Sequence, residues 1–207
     1  MKKRVIGFYD YTVILTYLGM FMAFQGIIFA VKDIFPAALL FLAGSLVCDT
    51  MDGRVARAKK NRAEEEKQFG VQIDSLCDMV SFGIFPAVIF YCWGLESIVD
   101  IGLLGFYCLC CVIRLGFFNV LAQNKDSDEP AAYHGLPVVG LALFVPAAWL
   151  IGLLVPEVIF HFVLRFMLVA FGLLYIWDFP VNKPKMWKLG ILGLVFLVPL
   201  LLGSFLM

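Results

Sequence analysis

The sequence predicts an all-α membrane protein, a polytopic bundle of about seven transmembrane helices with its N-terminus in the cytoplasm. Three observations carry that expectation. Of 207 residues, 62% are hydrophobic and 15% charged, whereas soluble domains sit near 45–50% apolar and about 25% charged. The mean hydropathy is +0.94, and the apolar residues fall into runs near the roughly 20 residues a helix needs to cross a bilayer. Lysine and arginine gather on alternate connections between those runs, as the charge bias of cytoplasmic loops requires.

The runs are residues 11–31, 34–57, 70–93, 98–122, 136–155, 157–177 and 187–207. Each reads as a helix, because a lipid-exposed segment must satisfy its own backbone hydrogen bonds. The last two allow broken or re-entrant helices, so the count spans six to eight. Connections are short, which makes neighbours antiparallel. With Lys2, Lys3 and Arg4 inside, the segments 58–69, 123–135 and 178–188 also fall inside, with Lys59, Lys60, Arg62, Lys67, Lys125, Lys183, Lys185 and Lys188. The other side holds Lys32 alone among Asp33, Glu96, Asp100 and Glu157. No internal repeat or low-complexity tail appears, and residues 1–207 read as one domain. The basic start lacks a cleavage site of signal-peptide type.

Net charge is zero, so the total implies no partner, and no nucleic-acid partner is expected. The six cysteines lie in apolar runs without metal-like spacing and read as small packing residues. Trp93, Trp149, Trp177 and Trp187 fall near run ends, the arrangement of an aromatic belt.

Acids inside the apolar runs carry the chemistry, because ionisable groups there are rare and usually functional. Asp49 and Asp52 are spaced i, i+3; Asp74 and Asp78 are spaced i, i+4; each pair lies on one helix face. The face of Asp49 and Asp52 continues through Gly53, Ala56 and Arg57, and Gly70 is in line with Asp74 and Asp78. A helix ordinarily fills such a stripe with apolar core residues. Antiparallel packing brings the two stripes together at the cytoplasmic surface. Four carboxylates in a partly dehydrated pocket repel one another, and a divalent cation resolves the conflict. An all-oxygen donor set suits Mg²⁺, Mn²⁺ or Ca²⁺, not Zn²⁺. Four carboxylates suffice for two ions, the arrangement that stabilises both attacking and leaving oxygens in displacement at phosphorus. Gly53, Ala56 and Gly70 remove bulk beside the acids, and Arg57 offers a forked donor for phosphate.

The segment Asp49-x2-Asp52-Gly53-x2-Ala56-Arg57 … Gly70-x3-Asp74-x3-Asp78 resembles the signature of the CDP-alcohol phosphotransferases. One departure is visible. Twelve residues separate Arg57 from Gly70, where the pattern usually has eight; a longer surface loop costs little. Within the family, the runs 74–83, 114–120 and 133–137 resemble bacterial and archaeal phosphatidylserine synthases, while Asp10-Tyr11-Thr12 departs from the Pro-Asn common near the start of the first helix. The resemblance covers residues 9–140.

The resemblance implies transfer of the phosphatidyl group from CDP-diacylglycerol to L-serine, releasing CMP, in the membrane with the site facing the cytoplasm. It implies that Asp49, Asp52, Asp74 and Asp78 bind metal, that Asp78 is the base, and that Gly53, Ala56, Arg57 and Gly70 line the nucleotide site. A homodimer is expected from the family alone. Arg114, mid-span where a lone cation is costly, is the candidate for the serine carboxylate, with the aspartate cluster or a backbone carbonyl as its alternative partner; Asn119 is a second acceptor candidate. Thr12 and Thr16 share a face of the first helix and are candidates to reach the cytidine. His134 is a candidate acceptor or phosphate contact, and His161 reads as structural. Arg165 shows no partner in the sequence and reads as snorkelling. Two alternatives stand beside this reading: the same chemistry on glycerol phosphate or inositol phosphate, and a carboxylate-lined cation transporter.

Overall fold

A computed structural model of the chain describes residues 6–9, 11–59, 63–123 and 133–181. The described part is a helical bundle in which α1 (Tyr11–Val31), α2 (Phe35–Ala58) and α3 (Glu64–Asp78) carry the signature. A π-helical turn (Met79–Ile84) joins α3 to α4 (Phe85–Cys92). After these come α5 (Ile98–Gln123), α6 (Val139–Leu154) and α7 (Glu157–Ile176). The only strands among the described residues are β1 (Tyr133–His134) and β2 (Pro180–Val181), paired antiparallel.

Among the described residues, five helical stretches are long and apolar enough to cross a membrane: Tyr11–Val31, Phe35–Ala56, Glu64–Cys92, Ile98–Ala122 and Glu157–Ile176. The sixth expected run is a shorter helix, Val139–Leu154. The seventh, 187–207, lies outside the described residues.

The third helix starts at Glu64, six residues before the sequence places it. Glu64, Glu65 and Glu66 form its first turn, where carboxylates meet the positive end of the helix dipole. Most of the expected 58–69 loop is therefore helix.

α1 buries Thr12, Thr16, Gly19, Ala23, Gly26 and Ala30. These small residues admit close backbone approach, the way helices associate in lipid, and α1 packs most extensively on α2. The π turn has a local cause. Pro86 lacks an N–H, so the carbonyl of Phe82, four residues earlier, loses its ordinary donor. The Tyr107 hydroxyl on α5 donates to that carbonyl instead, and Phe85 N–H reaches back to Val80 O. This fixes α5 against the chain just beyond Asp78.

At the opposite end of the bundle, Ser97 and Asp100 cap α5 reciprocally. Asp100 N–H donates to Ser97 Oγ at 3.2 Å, and Ser97 N–H to Asp100 Oδ2 at 3.2 Å, a capping box. Arg165 of α7 then donates to both Asp100 oxygens, at 2.6 and 3.1 Å. Arg165 thus has a partner, which corrects the snorkelling expectation. His161 contacts the Trp93 carbonyl at 3.1 Å, a structural placement as expected.

The tryptophans expected in an aromatic belt differ in exposure. Trp177 is exposed, but Trp93 and Trp149 are buried in the core, Trp93 among Phe35, Phe90 and Phe160; Trp187 lies outside the described residues. All six cysteines are free and at least partly buried, in line with packing roles.

Candidate active site

Antiparallel α2 and α3 bring the two acidic stripes face to face. Carboxylate oxygens of Asp49, Asp74 and Asp78 lie within 4.8 Å of one another. The Asp49 carboxyl meets that of Asp78, and Asp52 that of Asp74, each pair within hydrogen-bonding reach. Opposite ligands of a hard divalent cation stand about 4–5 Å apart, at bond lengths of about 2.0–2.6 Å. Oxygens spread over 4.8 Å therefore fit around one such ion, and the donor set contains no sulfur or imidazole. Among the described residues, no lysine or arginine forms an ion pair with Asp49, Asp74 or Asp78.

α1 closes the third side. Thr16 Oγ1 donates to Asp52 Oδ2 at 2.7 Å, with both residues buried. The face containing Thr12 and Thr16 does turn toward the site, but Thr16 is engaged with a signature carboxylate.

A cavity of about 420 Å³ opens beside the acids, lined by Asp52, Gly53, Ala56, Gly70 and Asp74, with Thr12 and Thr16 opposite. Three residues without long side chains thus leave room against the backbone at one wall. Lys59 and Lys67 also line it, and sequence reasoning gave them no site role. Glu66 holds Lys59 and Glu64 holds Lys67, each at 3.1 Å. Their legible signal was position: Lys67 lies one turn before Gly70, once that segment is helical. The side chains of Arg57 and His134 lie outside the described residues.

Arg114 and Asn119 do not line this cavity. Arg114 is buried, donates through Nη2 to the Gly135 carbonyl at 3.0 Å, and stacks over Phe118 at 4.0 Å. Gly135 has φ of +66°, and a Cβ there would sit 2.7 Å from both Arg114 Nη1 and the Trp177 carbonyl. Only glycine fits that turn. Gly135 N–H donates to Phe179 O at 2.7 Å. Tyr175 holds the next stretch, accepting from Leu141 N–H at 2.8 Å and donating to Val138 O at 2.7 Å. Asn119 instead braces α5 on α3, accepting from Ser75 Oγ at 2.6 Å and donating to Gln72 at 3.1 Å.

A family model described as CDP-alcohol phosphatidyltransferase matches residues 12–176. The chain is 36% identical over 117 residues to a CDP-diacylglycerol–serine O-phosphatidyltransferase of Saccharomyces cerevisiae, covering 54% of this chain and 41% of the relative. It is 32% identical over 145 residues to one of Mycobacterium bovis, covering 68% and 47%. An archaetidylserine synthase of Methanothermobacter thermautotrophicus is 27% identical over 151 residues, covering 72% and 62%. The matches span less than half the length of the yeast and mycobacterial relatives. No solved structure matches the chain.

Proposed function

The chain belongs to the CDP-alcohol phosphatidyltransferase family, and from that membership we propose that it transfers the phosphatidyl group of CDP-diacylglycerol to L-serine, releasing CMP. One observation carries the reading: four carboxylates from two facing helices meet beside a cavity walled by Gly53, Ala56 and Gly70. The names of the yeast and mycobacterial relatives support serine as acceptor and CDP-diacylglycerol as donor.

The reaction is a displacement at phosphorus. The serine hydroxyl oxygen bonds to the lipid-proximal phosphorus, the bond from that phosphorus to the CMP oxygen breaks, and the hydroxyl proton passes to Asp78. A base must lie within hydrogen-bond reach of the proton it takes, and Asp78 is the last acid of the stripe, facing Asp49. When bound at Asp49, Asp52, Asp74 and Asp78, one or two divalent cations, Mg²⁺ or Mn²⁺, would offset the carboxylate charge and stabilise the attacking and leaving oxygens. Gly53, Ala56 and Gly70 let the nucleotide and its diphosphate lie close to the backbone, and Arg57 is assigned a phosphate. Lys59 and Lys67 add positive charge to the same cavity. Thr16 holds Asp52 in place. For the acceptor, Arg114 commits one of its five donors to Gly135, which leaves capacity for a carboxylate. Asn119 fits better as the brace that sets α5 on the helix of Asp74 and Asp78. We place the acidic end at the cytoplasmic face from the lysine and arginine distribution, and expect a homodimer.

The archaeal relative supports a second reading of the donor, with an archaetidyl group in place of phosphatidyl; the acceptor named there is still serine. The test is CMP release by purified protein with Mg²⁺ or Mn²⁺, offering serine, glycerol 3-phosphate or inositol phosphate separately. Serine-dependent release is expected, abolished by chelator and restored by metal. Release only with a phosphorylated acceptor would overturn the assignment of Arg114. No release with any acceptor, together with cation flux in vesicles that survives Gly53→Leu, would sink the transferase reading.

A further inference from the structure

A second, much smaller cavity lies on the other side of the acids. Its volume is about 10 Å³, and its polar lining is Thr16, Ser45, Asp49, Asp52, Asp78 and Ser81. That is about the space one water molecule requires, given two to four polar partners. Ser45 is the unusual member. It is 1% exposed, and its hydroxyl has no hydrogen-bond partner among the described residues. A serine or threonine inside a helix ordinarily bonds back to the carbonyl four residues earlier. Thr50 on the same helix does so, donating to Leu46 O at 2.8 Å; Ser45 does not. It sits one turn before Asp49, on the face that i, i+4 spacing shares. An unpaired buried hydroxyl is destabilising, so its position in the lining of a water-sized space under the carboxylates calls for a role there.

We propose that Ser45 is a positioning residue for the acidic centre: its hydroxyl and the carboxylates of Asp49 and Asp78 together hold one ordered water, which orients those carboxylates toward a divalent cation. The inference rests on the metal-dependent reading above. Partners one shell out from a metal orient its ligands, and their loss typically weakens affinity about 10–100-fold. Ser45 acts through Asp49 and Asp78 and touches no substrate.

The test is Mn²⁺ titration of the metal-free, detergent-solubilised full chain, with free Mn²⁺ read by electron paramagnetic resonance and no substrate present. Ser45→Ala should raise the Mn²⁺ dissociation constant about tenfold, while the thermal midpoint of the metal-free protein shifts little, because a single hydrogen bond to water is all that goes. Ser45→Thr, which keeps the hydroxyl, should bind Mn²⁺ close to the parent value. Unchanged affinity in Ser45→Ala would overturn the proposal, and so would affinity lost together with the metal-free thermal midpoint, which marks general loosening. A parent chain that binds no Mn²⁺ would overturn both this inference and the reading beneath it. Parent binding with an indifferent Ser45→Ala overturns the inference alone.

Discussion

Thr16→Val removes a hydroxyl and leaves a side chain of nearly the same shape. The hydroxyl donates to Asp52 at 2.7 Å, and the two residues are 8% and 6% exposed, so the bond is sheltered from bulk solvent, although both residues also line cavities that water can enter. A hydrogen bond to a charged group contributes about 1.5–3 kcal/mol. At roughly 1.4 kcal/mol per tenfold in rate, kcat/KM for CMP release should fall about tenfold to a hundredfold. The loss has a second signature. If Thr16 serves Asp52, the variant should need more Mg²⁺ or Mn²⁺ for half-maximal rate; if Thr16 serves the cytidine, only KM for the CDP-lipid should move. Thr16→Ser keeps the donor and should retain most activity. The assay is CMP release in mixed micelles at several fixed metal concentrations. A Thr16→Val enzyme within twofold of the parent, at limiting as well as saturating metal, would refute the argument that α1 holds the acidic centre.

Asp78→Asn should bind CDP-diacylglycerol much as the parent does yet lose kcat by about 10²–10⁴-fold, the usual worth of a positioned base; near-normal turnover would move that role elsewhere. Arg165→Met strips the cation from Asp100, which is 1% exposed. Breaking a fully buried pair costs about 3–5 kcal/mol; Arg165 is 41% exposed, so screening reduces this to about 1–3 kcal/mol. The thermal midpoint should drop by several degrees while KM for serine stays unchanged; Asp100→Asn in the same background should recover part of the loss. Gly135→Ala forces a Cβ to 2.7 Å from Arg114 and Trp177, and should raise KM for serine more than KM for the CDP-lipid. An equal rise in both would mean that Arg114 does not meet the acceptor.

The signature acids were legible because their geometry is local. Asp49 with Asp52, and Asp74 with Asp78, each sit within one or two turns of a single helix, and two helices joined by a short connection must face each other. Nothing of that kind tells where an isolated charge goes. Arg165 finds Asp100 across 65 positions, and only the packing of α7 on α5 sets that register. For Arg114 the sequence allows a backbone carbonyl as partner but does not show that it is that of Gly135, because backbone carbonyls leave no trace in residue identity. The start of α3 is hidden in the sequence for a related reason. Three consecutive glutamates resemble a solvated loop by composition, yet at a helix N-terminus they are favoured.

The two ends of the bundle treat their carboxylates in opposite ways. A carboxylate has about four acceptor sites. At Asp100 they are taken by Arg165 Nε and Nη2 and by the Ser97 hydroxyl and N–H, so the group is neutralised within the chain and has little left to offer a ligand. At the other end Asp49, Asp74 and Asp78 face one another, and among the described residues no lysine or arginine pairs with them. Helix caps and packing do not need three mutually repelling acids within 4.8 Å, since each would be less costly as an amide or with a cation of its own. Acids that meet no cation of their own among the described residues, beside a 420 Å³ cavity, make sense where a compensating charge arrives from outside and works there. Lys59 and Lys67 line the same cavity, and each is held at 3.1 Å by a glutamate of α3, so their charge is met within the chain.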